Sequence, residues 1–189
     1  MRRVARIVIL ASGSGSTLQA ILDDADLGRQ VVAAGTDVPG CPAMQRAEQA
    51  GVPTFSVALR DFAGRAAWND ELASVLAKYE PDLVVLAGFM RILAPQVVSR
   101  FRIVNTHPAL LPAFPGAHAI RDALAARVTN TGVTVHWVDE GVDTGPVIAR
   151  AEVPVRPGDD ENTLRARIQA AEKPLYRQAL RQLCRELES

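Results

Sequence analysis

The amino-acid sequence predicts an α/β fold in which a mostly parallel sheet carries helices on both faces. Short apolar stretches alternate with amphipathic stretches from the start of the chain to about residue 105, and this alternation is typical of strands joined by crossover helices. Residues 82–87 are apolar after the first position, as expected of a strand covered on both faces. The first apolar stretch ends in a loop of glycine and serine, which often leads from a strand into a helix.

The first hundred residues contain four predicted strands and three predicted helices. The predicted strands are 5–10, 30–34, 54–57 and 82–87, and the predicted helices are 17–22, 43–49 and 66–79. Ser16 or Thr17 is expected to cap the first helix, because a side-chain hydroxyl can accept a hydrogen bond from a free first-turn amide. The third helix is the clearest, since its apolar residues from Trp68 to Tyr79 recur at helical spacing on one face.

The second half is expected to depart from this alternation. A strand ends near Val104, and two further strands near 132–138 and 146–153 are separated by a loop alone, which permits antiparallel pairing. Residues 161–188 are predicted to be mostly helical, with a kink or a break at Pro174. Because the sequence contains no internal repeat and no linker-like stretch, we expect a single domain, 1–189.

Composition limits the classes of function. The 21 basic and 21 acidic side chains cancel, so no net charge attracts the protein to nucleic acid or to an anionic membrane. Cys41 and Cys184 lie far apart and belong to no metal or redox motif, which suggests a reducing compartment. The apolar start is too short for a signal peptide, and no stretch approaches the roughly 20 apolar residues of a membrane helix. We therefore expect a soluble, cytoplasmic protein.

The glycine and serine loop is a candidate anion site. Gly13 and Gly15 follow a predicted strand and precede a predicted helix, so free amides of the first helical turn can point at an anion. The third glycine of a dinucleotide-binding fingerprint would fall at Leu18, which favours one phosphate over a pyrophosphate. On the motif alone, a tight turn with capping serines is an equally good interpretation.

The strongest catalytic signal is an amide and an imidazole two positions apart, Asn105 and His107, where a buried strand ends. Three prolines between residues 108 and 115 then keep the chain extended. Side chains at i and i+2 of a strand point to the same side, so the amide can steady a carbonyl oxygen while the ring moves a proton. Asp143, in a later loop next to glycines, can orient the imidazole and stabilise its charged form.

The other two histidines are given lesser roles. His136 lies in a predicted strand between apolar residues and is expected to be structural or to support the site. His118 could line a pocket or cap the helix that follows it. Both are kept as residues that could orient the catalytic groups. No pair of histidines or cysteines has the short spacing of a zinc site, so we expect no metal.

Four segments carry a resemblance to a known family: Ala11–Ala20, Leu86–Leu93, Asn105–Arg121 and Gly132–Ile148. In their order along the chain, they resemble the glycinamide ribonucleotide formyltransferases, folate-dependent enzymes of purine synthesis. The resemblance implies a Rossmann-like formyltransferase fold. It also implies a nucleotide-phosphate-binding half, 1–100, and a catalytic and folate-binding half, 101–189.

The activity implied by the resemblance is transfer of the formyl group of 10-formyltetrahydrofolate to the amine of glycinamide ribonucleotide, in the de novo synthesis of IMP. Asn105, His107 and Asp143 match the family's catalytic residues. The matching nucleotide-binding residues are Gly15, Ser16, Thr17, Gln169 and Glu172. The matching folate-binding residues are Arg65, Met90, Arg91, Ile92, Leu93, Asp139, Glu140, Gly141 and Val142. The implied partners are these two small molecules, without metal, nucleic acid or membrane, and a homodimer is left open.

The sequence departs from the family pattern at several positions. Ser14 and Thr17 stand where the phosphate loop usually carries asparagines, so their side chains reach less far towards a phosphate. Ile120 stands where many members carry a further histidine, which cannot then be required for the chemistry. Lys173 and Pro174 are also atypical and can alter how the preceding acid is presented.

Three rival functions are weighed against this one. A formyltetrahydrofolate deformylase would share the catalytic residues, but it usually carries an additional N-terminal domain, for which a first strand at residue 5 leaves no room. A methionyl-tRNA formyltransferase would need a C-terminal nucleic-acid-binding domain and clustered basic residues. A non-catalytic nucleotide- or folate-binding protein would not need Asn105, His107 and Asp143 together.

Overall fold

Within residues 4–188, which the computed structural model describes, seven strands form one sheet. The strands are β1 (Ile7–Leu10), β2 (Val31–Thr36), β3 (Thr54–Ser56), β4 (Leu83–Leu86), β5 (Ile103–His107), β6 (Asn130–Trp137) and β7 (Val147–Pro154). Their order across the sheet is β3-β2-β1-β4-β5-β6-β7. The first five run parallel, whereas β6 pairs antiparallel with both β5 and β7. The predicted mostly parallel sheet is therefore confirmed.

Seven α-helices in the same part of the chain connect or cover these strands. They are α1 (Ser16–Leu22), α2 (Ala25–Gly28), α3 (Pro42–Gln49), α4 (Arg65–Lys78), α5 (Pro95–Val98), α6 (Ala119–Ala125) and α7 (Glu161–Leu187). The three helices predicted in the first half agree with α1, α3 and α4 to within one residue at each end. None of the helices between residues 4 and 188 combines the length and the apolar character needed to cross a membrane.

The start of α1 differs from the prediction that Ser16 or Thr17 caps it. The N-cap position is Gly15, which has φ 74° and forms no side-chain cap. A Cβ atom at Gly15 would lie 2.5 Å from Cα of Ala43 in α3, so the close packing of the loop on α3 requires a glycine. Because no side chain caps α1, its first-turn amides remain available to a ligand.

Helices cover both faces of the sheet, as predicted. Along β1, Ile7 and Ile9 face one apolar cluster while Val8 and Leu10 face the other, and all four side chains are fully buried. The first cluster contains residues of α1, α3 and the second half of α7, and the other contains residues of α4 and α5. Burial of each such side chain stabilises the fold by about 1.5–3 kcal/mol, so β1 lies at the centre of the core.

Of the kink or break predicted at Pro174, the break does not occur, because α7 is one helix on both sides of this residue. Before the proline, Leu164 and Ile168 are buried against β6 and β7. After it, Tyr176 is fully buried and its hydroxyl lies 3.0 Å from the carbonyl oxygens of Leu86 and Val104. Burial, with a smaller effect of the nearby Glu172, raises the pKa of Tyr176 well above its usual value, so the hydroxyl remains a donor. Packing on both sides thus holds the helix together across the missing amide.

The topology creates a crevice at the carboxyl ends of the central strands. β1 pairs with β2 on one side and with β4 on the other, so the order of the strands reverses between β1 and β4. Ligands of parallel α/β sheets bind outside the strands at such a switch point. The loop after β1, the turn at Ala87 and Gly88 after β4, and the end of β5 at Thr106 all line one cavity there.

Candidate active site

Four of the predicted site residues meet at the end of β5. His107 is buried, and its Nδ1 atom lies 3.2 Å from Oδ2 of Asp143. The other oxygen of this carboxylate, Oδ1, lies 3.6 Å from Nε2 of the buried His136. The amide nitrogen of Asn105 in turn lies 3.5 Å from the same Nε2 atom. Asp143 therefore sits between two imidazoles, and Asn105 joins the cluster through His136 rather than through His107.

The hydrogen-bond partners fix the orientation of the two rings. Nε2 of His107 lies 2.7 Å from the carbonyl oxygen of Phe114, so each ring nitrogen of His107 faces an acceptor. Nδ1 of His136 lies 2.9 Å from the carbonyl oxygen of Trp137, while its Nε2 atom faces both Asp143 and Asn105.

Two loops hold Asp143 in this position. The backbone amide of Gly116 donates to Oδ2 of Asp143 at 2.8 Å, which ties the proline-containing loop after β5 to the loop after β6. Within the second loop, Oδ1 of Asp139 accepts from the amide of Gly141 at 3.1 Å and from the hydroxyl of Thr144 at 2.6 Å. The local hydrogen bonds explain why a loop between antiparallel strands can present a half-buried carboxylate to β5.

The two lesser histidines differ in their placement. His136 belongs to the buried cluster, in agreement with the prediction that it supports the site. His118 is exposed at the N-cap position of α6, and its side chain accepts no capping hydrogen bond, so the prediction that it caps this helix is wrong. Within residues 4–188, no group of three or more His, Cys, Asp or Glu side chains is arranged to hold a metal ion.

A cavity of about 200 Å³ opens beside the catalytic cluster and contains the predicted nucleotide-binding residues. Its walls come from the loop 13–17, the turn after β4, the end of β5 and the first half of α7, and both halves of the chain therefore contribute to it. The lining includes Gly15, Ser16, Thr17, Gln169 and Glu172.

Glu172 is the polar centre of this cavity. Its Oε1 atom accepts from the hydroxyl of Thr17 at 2.9 Å and from the hydroxyl of Thr106 at 3.2 Å. Burial raises the pKa of the Glu172 carboxyl above its usual value of 4.5, and the two threonine hydrogen bonds and the nearby Lys173 oppose this shift. Oε2 of Glu172 has no hydrogen-bond partner among the described residues, so it can accept from a ligand hydroxyl.

Sequence reasoning missed two residues of this cavity. Thr106 lies between Asn105 and His107 in β5, so its side chain points to the opposite face of the strand, where it meets α7. The sequence signal that could have identified Thr106 was a polar side chain on the face of β5 opposite to Asn105 and His107. Arg165 also lines the cavity, but in the sequence it cannot be told apart from the other basic residues of the exposed α7 face.

The predicted folate-binding residues occupy two segments and one helix start. Met90, Ile92 and Val142 are large apolar residues with exposed side chains. Arg65 donates to the carbonyl oxygen of Ile92 at 2.6 Å, which connects α4 to the segment after β4. Leu93 is buried in the core and therefore supports this segment from beneath.

The segment after β4 is also tied to the loop after β1. Arg91 contacts Oδ2 of Asp37 at 2.6 Å, and the other oxygen of this carboxylate accepts from the hydroxyl of Ser12 at 2.5 Å. Ser12 in turn accepts from the backbone amide of Met90 at 2.9 Å. The loop after β1 and the exposed apolar segment after β4 are thereby held as one unit.

The comparisons with known proteins agree with this architecture. Residues 5–180 match the sequence model of the formyl transferase family. The chain belongs to the formyl transferase family. Over 175 residues it is 55% identical to the phosphoribosylglycinamide formyltransferase of Mycobacterium tuberculosis strain H37Rv, an alignment that covers 90% of this chain and 81% of that protein. The phosphoribosylglycinamide formyltransferase of Escherichia coli strain K12 is 43% identical over 175 residues, covering 90% of this chain and 82% of that protein.

Solved structures of formyl transferases confirm the predicted fold. Glycinamide ribonucleotide transformylase 1 of Symbiobacterium toebii superposes with a TM-score of 0.93 at 42% identity, over 97% of this chain and 89% of that chain. The protein of the same name from Geobacillus kaustophilus gives a TM-score of 0.91 at 43% identity, over 96% of this chain and 100% of that chain. The chain is therefore a formyl transferase in sequence and in fold.

Proposed function

We propose that this protein transfers the formyl group of 10-formyltetrahydrofolate to the amine of glycinamide ribonucleotide, a step of purine synthesis. The observation that carries the proposal is the buried contact between His107 and Asp143, beside Asn105 and next to a cavity that begins at an uncapped helix N-terminus. The 55% identity to a phosphoribosylglycinamide formyltransferase over 90% of the chain supports the same function and favours transfer over hydrolysis.

The chemistry requires one group to stabilise an oxyanion and another to support proton movement. The substrate amine attacks the formyl carbon, and the carbonyl oxygen becomes negatively charged. Asn105 would donate a hydrogen bond to this oxygen, and His107 would join it by exchanging the contact of its Nε2 atom with the carbonyl oxygen of Phe114 for one with the oxyanion. Asp143 stabilises the positive charge of the ring. The amine then loses a proton, N10 of the departing folate gains one, and the C–N10 bond breaks, with water beside Asp143 as the relay.

The nucleotide is proposed to lie in the cavity that contains Glu172. Its phosphoryl group would face the first-turn amides of α1 at Gly15, Ser16 and Thr17. Its ribose hydroxyls would donate to Oε2 of Glu172, with Gln169 on the preceding turn of the same helix as a further polar contact.

The folate is proposed to lie against the exposed apolar residues near the catalytic cluster. Met90, Ile92 and Val142 offer the apolar surface that a planar heterocycle needs. Backbone groups of Asp139 and Glu140 are available for hydrogen bonds, whereas the amide of Gly141 is engaged by Asp139 and leaves its carbonyl oxygen. Arg65 and Arg91 have fixed contacts within the protein and would orient the segment. In this proposal both partners are small molecules, and the protein acts in the cytoplasm.

One assay tests the proposal. The protein is mixed with 10-formyltetrahydrofolate, with and without glycinamide ribonucleotide, and the appearance of tetrahydrofolate is followed. We expect release that depends strictly on the nucleotide. Asn105→Ala should lower kcat on the order of 10²–10³-fold while leaving the melting temperature close to that of the wild type, since it removes one oxyanion donor. Release without the nucleotide would instead indicate a hydrolase, and absence of release would indicate a binding protein.

A further inference from the structure

A second cavity, of about 430 Å³, lies on the outer side of the loop 13–17, between α1, α3 and α7. Its basic lining residues are Arg46, Lys173 and Arg177, and its acidic lining residue is Asp23. We call this cavity the basic cleft. The carboxylate of Asp23 accepts from Nε2 of Gln19 at 2.8 Å, so it is already engaged within α1. The cleft therefore presents an excess of positive charge in a protein whose formal net charge is zero.

Two of these cations form no ion pair in the described part of the chain, although Lys173 lies near enough to Glu172 to oppose the rise in the pKa of that carboxyl. Among residues 4–188, no ion pair involves Lys173 or Arg177, and Nε of Arg177 is buried without a hydrogen-bond partner. A buried, charged donor that lacks a partner is costly. The guanidinium group that carries this donor lines the cleft, so an anion there would face its positive charge.

Arg46 links the cleft to the phosphate loop. Its Nε atom donates to the carbonyl oxygen of Ser14 at 2.9 Å, and Nη1 lies 3.4 Å from Oε1 of Gln19. The guanidinium group is thereby fixed next to the loop, and its fork retains further N–H groups for a ligand. Ser16 lines both the basic cleft and the nucleotide cavity, so the two cavities adjoin at the first residue of α1.

The loop alone balances a phosphate dianion poorly. The hydroxyl of Thr17 is directed to Glu172, and Glu172 itself adds an acidic group on the inner side. The uncapped amides of α1 carry only the partial positive charge of a helix N-terminus. Arg165 supplies one full positive charge in the nucleotide cavity, and the adjoining basic cleft offers three more.

We propose that Arg46, Lys173 and Arg177 bind the phosphoryl group of the nucleotide substrate from the outer side of the loop 13–17. The phosphate would lie between the first-turn amides of α1 on one side and the three cations on the other. This inference rests on the proposed function, because it takes glycinamide ribonucleotide as the substrate.

The test compares two substrates that differ in the phosphate alone, glycinamide ribonucleotide and its dephosphorylated riboside. We expect Lys173→Met and Arg177→Met each to raise the KM for the nucleotide about tenfold, because each removes one charge-assisted contact. Turnover at saturation and the KM for the riboside should stay unchanged. Arg185→Met, at an exposed position of the same helix, is the matched control. Arg46 is left intact, since its contact with Ser14 also supports the loop.

A second measurement needs no catalysis. Titration of each folded protein with inorganic phosphate should give a dissociation constant about tenfold higher for Lys173→Met and Arg177→Met than for the wild type and for Arg185→Met. Unchanged phosphate affinity in both variants, or an equal rise of KM for both substrates, would overturn the basic cleft as a phosphate site. A wild-type protein without nucleotide-dependent transfer would overturn the proposed function, and the phosphate titration then judges the cleft by itself.

Discussion

Asp143 links the two imidazoles of the candidate active site. Its carboxylate contacts His107, His136 and the backbone amide of Gly116, while its own backbone has a positive φ of 56°. A residue other than glycine pays a conformational cost for this angle. The hydrogen bond from Gly116 and the bonds of Asp139 within the loop after β6 hold it there, with one oxygen against each imidazole.

We predict that Asp143→Asn lowers kcat on the order of 10²–10⁴-fold. The amide keeps the size of the side chain but no longer stabilises a charged His107, and its NH₂ group faces a ring nitrogen that now prefers the wrong tautomer. Steady-state assays with saturating nucleotide measure the effect, and circular dichroism melting controls for folding. Turnover near the wild-type value in a folded Asp143→Asn protein would contradict the role proposed for this acid.

Glu172 provides a pH-dependent prediction at the same scale. Burial raises the pKa of this carboxyl in the folded state above the usual value of 4.5, so the folded protein binds more protons than the unfolded chain in the window above 4.5. Stability therefore falls as the pH rises through that window. Glu172→Gln, which resembles the neutral acid, should raise the melting temperature relative to the wild type more at pH 8 than at pH 4.

The measurement is a pair of thermal melts for each protein, at pH 4 and at pH 8. Glu152→Gln, at an exposed position of β7, controls for the loss of one negative charge on the surface. A difference between Glu172→Gln and the wild type that is equal at both pH values would show that burial does not destabilise the ionised carboxylate.

Single residues were predictable from the sequence where chemistry and spacing coincide. Asn105 and His107 stand out because they lie two positions apart at the end of a strand, where their side chains point to the same side. The structure places both in one cluster. The sequence could not show that Asn105 reaches this cluster through His136, since that contact depends on the antiparallel pairing of β5 with β6. Thr106 was missed for a similar reason, because its partner Glu172 lies 66 residues later on α7.

At the level of elements, the turn into α1 depends on one glycine. Gly15 has φ 74°, and a Cβ atom would come within 2.5 Å of the backbone of α3. Gly13, two residues earlier, has open space around the position of a Cβ atom. Gly15 is therefore required by its backbone conformation and by its packing on α3, whereas packing does not require a glycine at position 13. The sequence pattern alone does not distinguish the two positions.

We predict that Gly15→Ala lowers the free energy of unfolding by about 2–5 kcal/mol, as the sum of the cost of a left-handed alanine and of overpacking. Gly13→Ala should change it by less than about 1 kcal/mol. Urea denaturation followed by circular dichroism measures both, with the two variants as each other's control. Equal stability of the two variants would mean that the loop can move away from α3 without cost.

Long apolar elements were predictable from the sequence. Very short helices, and features that depend on tertiary packing, were not. The strand at 82–87 and the helix at 66–79 were recognised because burial dictates their residue pattern along the whole element. α2 and α5 span four residues each, too few to show a period. Pro174 costs about 3 kcal/mol in an isolated helix. In α7 this cost is offset by side chains buried on both sides of the proline, and helix propensities do not include such packing.

At the scale of the whole molecule, α7 joins the two halves of the chain. Its first part packs on β6 and β7, and its second part packs on the cluster around β1. Further along, Arg181 forms an ion pair with Asp24, the N-cap of α2. The halves 1–100 and 101–189 also share one continuous sheet through the pairing of β4 with β5. Neither half encloses the proposed nucleotide cavity by itself, because Glu172 and the loop 13–17 come from different halves.

This sharing predicts that the two halves unfold together. Pulsed hydrogen exchange during a urea titration should give the same midpoint for peptides covering β2, in the first half, and β6, in the second. Cooperative loss is expected since removing either half exposes the apolar face of α7 that packs on both. The variant Tyr176→Phe is the informative comparison, because the hydroxyl spans the carbonyls of β4 and the adjoining β5. It should lower the free energy of unfolding by about 1–2 kcal/mol and shift both midpoints to lower urea concentration by the same amount. Separate midpoints in the wild type would instead mean that residues 1–100 and 101–189 are independent folding units that merely adjoin at the cavity.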